Sequence, residues 1–371
     1  MGEAFIVRRG GKKVDITAAP SINFVSKTFD SITFTITNND TETVDIFWEI
    51  GDSTPDANIL SLASGETSSN QVISGLTEET EYTIFAFANA ANKAGSQTTS
   101  QVRTTPEEPI VYTEATGGTT LEYNSGGKRY RSHTFTSNGT FTVTTVGNIL
   151  GGGDKVDYLI IAGGGAGGRK SFNSNQYGGG GGGAGGYRTT ISPAPSNDVN
   201  SKITVTTASY GVTIGAGGVG GNPGTNGTNS SVFGRISIGG GRGGRGGATN
   251  TQSQVGGSGG AGARSDIALE RIPANGTSGQ GFGGQNGTFN TTGITRGGGA
   301  GGAGGANPNG LNNNLRTGLN ENRGIGGRED QEVGDENTGN GGGGRTLHPG
   351  TGNGGNGGSG IVIIRYEIAP N

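Results

Sequence analysis

The fold is decided by the stretch Gly163-Gly164-Gly165-Ala166-Gly167-Gly168-Arg169, the first of a series of glycine tracts that continues to Gly360. Within each tract the residue that is not glycine recurs at every third position. These positions are Ala166 and Arg169; Ala184 and Tyr187; Ala216, Val219 and Asn222; Arg242, Arg245 and Ala248; Val255, Ser258 and Ala261; Phe282 and Gln285; Ala300, Ala303 and Ala306; and Asn353, Asn356 and Ser359. A polyproline-II helix has three residues per turn, so this spacing places them all on one edge of a tract.

The two remaining edges of each tract are bare backbone, which lets neighbouring tracts approach and exchange N–H and C=O groups. The spacing therefore predicts a bundle of antiparallel polyglycine-II helices held together by backbone hydrogen bonds. A flexible glycine-rich linker would have no reason to keep the threefold spacing. Collagen requires one unbroken triplet frame and abundant proline, whereas this chain has interrupted tracts and 11 prolines.

Glycine also separates the chain into regions, because 69 of the 82 glycines lie between residues 151 and 360. Apolar residues make up only 29% of the chain. We therefore expect the C-terminal half to lack an ordinary side-chain core and to rely on backbone hydrogen bonds. The net charge of −3 gives no general attraction to nucleic acids or anionic membranes. Without cysteine there are no disulfides or thiolate metal sites.

Residues 1–18 predict a small hairpin that turns at Gly10-Gly11. The alternative is an attachment segment that adds a strand to the sheet edge of another protein. The segment has no basic and apolar leader, and apolar runs elsewhere are too short to span a membrane. We therefore expect synthesis in the cytoplasm without a signal peptide. The proposed attachment residues are Phe5, Ile6, Val7, Arg8 and Arg9.

Residues 19–106 predict a β-sandwich, because apolar residues alternate in several short runs separated by turn residues. The single tryptophan, Trp48, is expected in its core. The run Leu76-Thr77-Glu78-Glu79-Thr80-Glu81-Tyr82-Thr83-Ile84 resembles the fibronectin type III signature, in which the tyrosine forms a corner before its strand. The stretch 88–95 and the exit Thr104-Thr105-Pro106 match the same family. This resemblance implies a spacer domain.

Residues 107–155 predict a β-connector, in which Val111, Leu121 and Tyr123 supply a strand or two. Two further runs, Tyr130–Thr136 and Thr140–Val146, flank Asn138-Gly139, which favours a type I′ hairpin turn. The glycine-rich region 156–371 then begins and ends with strands at 156–162 and 360–367. Both strands are apolar at nearly every position, as expected of strands covered on two faces. We expect them to pair with each other or with the connector. Almost no α-helix is predicted.

The ends of the glycine-rich region carry a second resemblance. They look like the glycine-rich domain of bacteriophage tail and fibre proteins, and are similar to the polyglycine-sandwich adhesins of T-even-type phages. What this resemblance implies is a virion surface protein, a tail-fibre or tail-tip adhesin, whose loops between tracts contact the host. The matching stretches are Asp157-Tyr158-Leu159-Ile160-Ile161-Ala162-Gly163-Gly164-Gly165, Gly185-Gly186-Tyr187-Arg188, Val212-Thr213-Ile214-Gly215-Ala216-Gly217-Gly218 and Gly357-Gly358-Ser359-Gly360-Ile361-Val362-Ile363-Ile364-Arg365-Tyr366.

Topology indicates which loops would bind. If ten successive tracts alternate in direction, the odd connections all lie at the end away from the connector. These connections are 169–177, 222–238, 262–280, 306–323 and 345–351. Aromatic rings beside amides suit a host glycan or surface protein, although asparagine also simply forms turns. The candidate receptor-binding residues are Arg169, Phe172, Asn173, Asn175, Tyr177, Arg264, Asn312, Asn314 and Arg316.

No catalytic constellation surrounds His133 or His348, and the acidic run at 329–336 lacks a calcium-binding pattern. The pair Arg242 and Arg245 is too short an array for an RNA-binding box. We therefore expect a non-enzymatic protein without cofactor, metal or nucleic acid. The expected partners are other virion proteins at the N-terminal segment and a host receptor at the loops, with oligomerisation left open. The alternatives are a capsid decoration or head-fibre protein and a glycan-degrading enzyme.

Overall fold

The computed structural model describes residues 8–9, 12–13, 15–51, 57–91, 93–96, 99–105, 109–170, 177–195, 198–247, 251–265, 268–287, 310–328, 333–345 and 352–371. The chain divides into an N-terminal unit, residues 1–109, and a glycine-rich unit, residues 110–371. The prediction of an all-β chain is confirmed. Within the ranges just given, the one helical element is a 3-10 turn at Ala268–Arg271.

The described residues of the N-terminal unit form nine strands. β1 and β2 pair antiparallel, as the predicted hairpin at Gly10-Gly11 requires. The other strands form two antiparallel sheets, in the orders β3-β4-β7 and β6-β5-β8-β9. The strands are β1 Arg8–Arg9, β2 Lys12–Lys13, β3 Ser21–Lys27, β4 Ser31–Thr37, β5 Val44–Ile50, β6 Asn58–Leu62, β7 Gln71–Ser74, β8 Glu81–Asn89 and β9 Thr99–Thr104.

The two sheets of the N-terminal unit share one hydrophobic core. β4 buries alternate residues, as its sequence predicts. Trp48 is 8% exposed, and its ring meets Phe34 edge to face with centroids 5.0 Å apart. The expected core position of Trp48 is therefore confirmed. Ile16 joins this unit through a bridge to Ala94.

In the part of the glycine-rich unit that the structure describes there are thirteen strands. The largest sheet has the order β11-β12-β22-β14-β15, with β16 paired to β14, and a second sheet has the order β10-β13-β17. The strands are β10 Glu114–Thr116, β11 Thr119–Ser125, β12 Lys128–Phe135, β13 Gly139–Thr145, β14 Lys155–Ile161, β15 Tyr187–Thr189, β16 Ile203–Thr204, β17 Ser209–Val212, β18 Ser230–Val232, β19 Arg235–Ser237, β20 Leu311–Asn313, β21 Glu321–Arg323 and β22 Ile361–Ile368.

The strands that enter and leave the glycine tracts lie side by side in the large sheet. β14 pairs with β22 from Asp157–Arg365 to Ile161–Ile361, and β22 also pairs with β12. The predicted pairing of the terminal strands is therefore confirmed, and the connector joins the same sheet. Residues 110–155 thus belong to one compact unit with the glycine tracts.

Both faces of β14 and β22 are covered, as predicted from their continuous apolar runs. One face of each strand joins a core shared with the second sheet, which includes Phe141 and Val143. The other face packs against Leu311 and Leu315. The expectation that the C-terminal half lacks a side-chain core is therefore wrong, because connector and terminal strands concentrate its apolar residues at one end.

The predicted hairpin at Asn138-Gly139 is also wrong. β12 pairs with β11 and β22, whereas β13 pairs with β10 and β17, so the chain crosses from one sheet to the other at this dipeptide. Asn138 instead accepts a hydrogen bond from the Ile214 N–H at 2.8 Å. The tight turn falls at Gly126-Gly127, between β11 and β12, where φ is 59° and 78°. Positive φ at both central residues is what a type I′ turn requires.

The glycine tracts are joined by backbone hydrogen bonds. The central tract, residues 163–168, directs its N–H groups to three different segments in strict rotation. Residues three apart donate to the same segment, at distances from 2.7 to 3.0 Å. The segments are 225–228, which accepts from Gly163 and Ala166; 352–360, which accepts from Gly164 and Gly167; and 178–186, which accepts from Gly165 and Gly168.

Carbonyl groups of the central tract accept hydrogen bonds from three further segments. Residues 239–246, 215–221 and 339–345 each donate N–H groups to this tract, so it has six hydrogen-bonded neighbours. A Cβ built at Gly165 or Gly167 would lie 2.2 or 1.9 Å from a neighbouring carbonyl oxygen. Only glycine therefore permits this spacing at those two positions.

The tracts do not simply alternate in direction, contrary to the prediction. Tracts 239–246 and 256–263 run parallel, because Gly257 donates to Gly239 and Gly244 donates to Ala261. The chain returns between them through residues 251–254. Such return segments contain threonine, asparagine and glutamine, whose side chains replace some backbone partners, as when Asn226 accepts from the Arg242 N–H at 2.9 Å. They therefore lack the triplet signature.

Candidate functional site

The glycine tracts have two ends with different surroundings. We call the end beside β14 and β22 the sheet end, and the opposite end the far end. The central tract leaves β14 at Ala162 and runs to Arg169 at the far end. An extended chain of this length spans roughly 20 Å, so side chains at the two ends belong to separate surfaces.

Backbone hydrogen bonds bring four arginines together at the far end. The Arg169 carbonyl accepts a hydrogen bond from the Gly246 N–H at 3.1 Å. The backbone of Arg169 therefore lies beside Gly246, the residue that follows Arg245. Arg264 and Gly178 exchange two hydrogen bonds of 2.9 and 3.2 Å. The fourth residue, Arg345, donates to Gly168 at 3.2 Å and accepts from Gly179 at 3.0 Å. We call these four residues, Arg169, Arg245, Arg264 and Arg345, the far-end arginines.

The far-end arginines are partly exposed, and so is Tyr177. Their backbones lie in hydrogen-bonded tracts, whereas their side chains reach the surface where the tracts end. The sequence predictions at Arg169, Tyr177 and Arg264 therefore fall on one surface. The predicted residues Phe172, Asn173 and Asn175 lie outside the described residues.

Three other predicted residues lie at the wrong end for the expected surface. Arg316 accepts a hydrogen bond from the Ser132 hydroxyl through its carbonyl at 2.7 Å, and its guanidinium pairs with Glu321. Asn314 accepts from the Tyr123 hydroxyl at 3.3 Å. The third residue, Asn312, belongs to β20, whose Leu311 packs on the large sheet. The prediction that loop 306–323 lies at the far end is therefore wrong for its described part. Leu311 and Leu315 within this loop pack against the large sheet and hold it at the sheet end.

Sequence reasoning overlooked Arg245 and Arg345 as candidate binding residues. Both follow two glycines at the end of a tract, as Arg169 does. The repeated Gly-Gly-Arg ending is the signal that would have found them. The triplets alone do not show the direction of a tract, so they do not show that these Gly-Gly-Arg endings meet at the same end.

The proposed attachment segment is only partly described. Arg8 and Arg9 form β1 and pair with Lys13 and Lys12. The predicted residues Phe5, Ile6 and Val7 lie outside the described residues.

His133 lies inside the glycine-rich unit rather than on its surface. Its ring nitrogens lie 2.6 Å from the Gly117 carbonyl oxygen and 3.0 Å from the Tyr366 hydroxyl. The ring also stacks on Tyr366 and meets Phe141 edge to face. Burial lowers the pKa of His133, which favours the neutral ring. This arrangement supports a structural role.

A buried ion pair ties β14 to β22. Asp157 accepts from Arg365 at 2.9 Å and from the Thr190 hydroxyl at 2.9 Å, and Lys202 lies 3.2 Å away. Burial alone would raise the pKa of Asp157, but the Arg365 and Lys202 charges and the hydrogen bonds hold the pKa below its usual value. The pair therefore stays charged and joins the two strands at the sheet end.

The described residues contain no group of three His, Asp or Glu side chains placed to hold a metal ion. Over the same part of the chain, no helix has the length and apolar character needed to cross a membrane.

Comparison with known proteins gives one match. Neither the curated proteins nor the solved structures include one that matches this chain. A family described as a glycine-rich domain matches residues 134–367, which cover β14, nearly all of β22 and all the tracts. The match spans well over half of the chain, and the chain therefore belongs to the glycine-rich domain family.

Proposed function

We propose that this chain is a non-enzymatic bacteriophage virion protein, a tail-fibre or tail-tip adhesin that presents its far end to a host-cell receptor. The observation that carries the proposal is the six-neighbour hydrogen bonding of the central tract. It fixes the ends of several tracts relative to one another, so the connecting loops and the far-end arginines are presented together on a firm support.

The tracts are, in this proposal, polyglycine-II helices. In a pleated strand, residues two apart point the same way, whereas N–H groups three apart in the central tract reach the same neighbour. Threefold rotation is the symmetry of the polyproline-II conformation. The close approach of carbonyl oxygens to Gly165 and Gly167 supports the same assignment.

Residues 19–106 are, in the same proposal, a fibronectin type III-like spacer. Seven strands in two sheets around one core fit such a sandwich. Tyr82 lies at the start of β8, and its hydroxyl accepts a hydrogen bond from the Thr77 N–H at 2.9 Å. A tyrosine hydroxyl bonded to backbone a few residues upstream forms the corner typical of these sandwiches. The N-terminal segment would then attach the chain to other virion proteins.

Two measurements test this function. An antibody against the N-terminal unit, applied to purified virions with gold labelling, is expected to mark the tail. The purified full chain is expected to bind bacteria that the phage infects and to lose that binding when residues 170–176 are replaced by a glycine-serine segment of equal length. A matched control changes Gly126 to Asn at the sheet-end turn, where an added Cβ meets nothing within 4 Å.

Label on the heads, without cell binding, would instead support a capsid decoration or head-fibre protein. Absence of the chain from virions would overturn both assignments. Release of reducing ends from host glycans would indicate the glycan-degrading alternative.

A further inference from the structure

We propose that the far-end arginines bind phosphate or carboxylate groups of an anionic cell-surface glycan. This inference rests on the proposed function and names the chemistry of the receptor. It depends on how the backbone places Arg169, Arg245, Arg264 and Arg345, which belong to four different tracts.

The arginines lie at corresponding positions of tracts that run in the same direction. Arg169, Arg245 and Arg345 each complete a Gly-Gly-Arg sequence, and Arg264 follows Gly262-Ala263. Gly178 and Gly179 hydrogen-bond directly to Arg264 and Arg345. Backbones joined in this way lie about 5 Å apart. Four positive charges therefore lie together at the far end of the glycine tracts, although the net charge of the whole chain is −3.

Among the described residues, the acidic side chain at the far end belongs to Glu270 and does not reach the surface. Glu270 is fully buried and accepts hydrogen bonds from the Gly247 N–H at 3.0 Å and from the Ser265 hydroxyl. The far-end arginines are themselves partly exposed. Among the described residues, the charged side chains that are partly exposed at the four tract ends are therefore cationic.

The Arg345 side chain packs against the backbone of Gly352. An added Cβ at Gly352 would lie 2.5 Å from Arg345 Nε and 3.1 Å from Cδ and Cγ. The stem of this arginine thus lies along the backbone of the following tract. Such support holds a guanidinium in place before the ligand arrives, which reduces the entropy lost on binding.

Guanidinium groups match the chemistry of phosphate and carboxylate, because their planar donors bond two oxygens at once. Partial burial strengthens the attraction relative to open water. Tyr177, which is partly exposed and precedes Gly178, carries an aromatic ring of the kind that packs against sugars. A compact group of four arginines fits discrete anionic groups on a glycan better than the long backbone of a nucleic acid, which is followed by an extended groove.

The test measures binding of the full chain to immobilised glycans. The probes are a core-phosphorylated lipopolysaccharide, the same material after dephosphorylation, a uronic-acid polysaccharide and its carboxyl-reduced form. We expect tighter binding to a charged probe than to its neutralised counterpart. The double variant Arg264→Gln with Arg345→Gln is expected to weaken that binding about tenfold or more.

A matched control removes the same charge at the sheet end, through Lys155→Gln with Arg235→Gln. We expect it to bind as the unchanged chain does. Gly352→Ala displaces the Arg345 side chain without changing the net charge, and it should also weaken binding. Circular dichroism and the unfolding midpoint verify that each variant is folded.

Equal binding to charged and neutralised probes, or equal losses in the two double variants, would overturn the inference. Tighter binding to single-stranded DNA than to either glycan would overturn it in favour of nucleic acid. The host-attachment function is tested separately, because cells bound through a neutral receptor would sustain that function while this inference fails. Binding of a charged glycan without cell attachment would support this inference while contradicting the host-attachment function.

Discussion

Replacing Gly167 with alanine tests whether the glycine tracts are held by close backbone contact. The added Cβ would lie 1.9 Å from the Gly343 carbonyl oxygen, whereas ordinary contact begins at 3.4 Å. Tract 339–345 would therefore have to move by the difference, 3.4 − 1.9 = 1.5 Å. Because the contact is with backbone, no side-chain rotation can relieve it.

That movement would break the hydrogen bonds that hold tract 339–345 against the central tract. Gly342 donates to Gly165 at 2.9 Å and Arg345 donates to Gly168 at 3.2 Å. A buried backbone group left without a partner costs about 1–3 kcal/mol. Two such losses predict that Gly167→Ala lowers the free energy of unfolding of the glycine-rich unit by about 2–6 kcal/mol.

The control is Gly211→Ala in β17, where an added Cβ meets nothing within 4 Å. We expect this variant to be neutral or to gain about 0.4–1 kcal/mol, because alanine restricts the unfolded chain. Hydrogen exchange of residues 163–168 measures the difference directly. A loss of about 2 kcal/mol corresponds to exchange faster by about thirtyfold. The single tryptophan, Trp48, reports separately on the N-terminal unit.

Equal exchange rates in the two variants would refute the reasoning. It would mean that neighbouring tracts have room for a methyl group, and that their carbonyl oxygens do not approach Gly167 as the structure shows. A fall in stability of both variants would instead point to a general effect of substituting glycine in this unit.

Three further predictions concern polar side chains. Asp157→Asn leaves the Arg365 charge buried without its partner, and urea unfolding should show a loss of about 3–5 kcal/mol. The lowered pKa of His133 means that the unfolded chain takes up its proton first. The glycine-rich unit should therefore lose stability as pH falls below about 6.5, whereas His133→Gln should remove this slope. Tyr82→Phe removes the acceptor for the Thr77 N–H and should lower the stability seen by tryptophan fluorescence by about 0.5–1.5 kcal/mol; an unchanged urea midpoint would contradict the last prediction.

Much of the fold could be predicted from sequence because its signals are local. The continuous apolar runs of β14 and β22 indicate burial on both faces, and the alternation in β4 indicates burial on one. These patterns depend only on strand geometry. The role of Trp48 follows in the same way from its place in an alternating run.

The remaining features depend on contacts that are distant in sequence. Asn138-Gly139 favours a tight turn, but β12 finds β22 as its partner instead of β13. Tract direction depends on return segments such as 251–254. The polar residues of these segments make their sequences look like those of ordinary loops. The candidate site was therefore only partly predicted: Arg169 and Arg264 lie on it, whereas Asn312 and Arg316 do not.

The position of β22 has a consequence for how the chain is made. The last strand lies between β12 and β14 in the large sheet, so the sheet cannot close until residues 361–368 have left the ribosome. Until then β12 and β14 each present an unpaired edge, and open edges invite pairing with other chains. Synthesis interrupted within the glycine tracts would thus yield aggregation-prone fragments, and chaperone protection would matter most before residues 361–368 have been made.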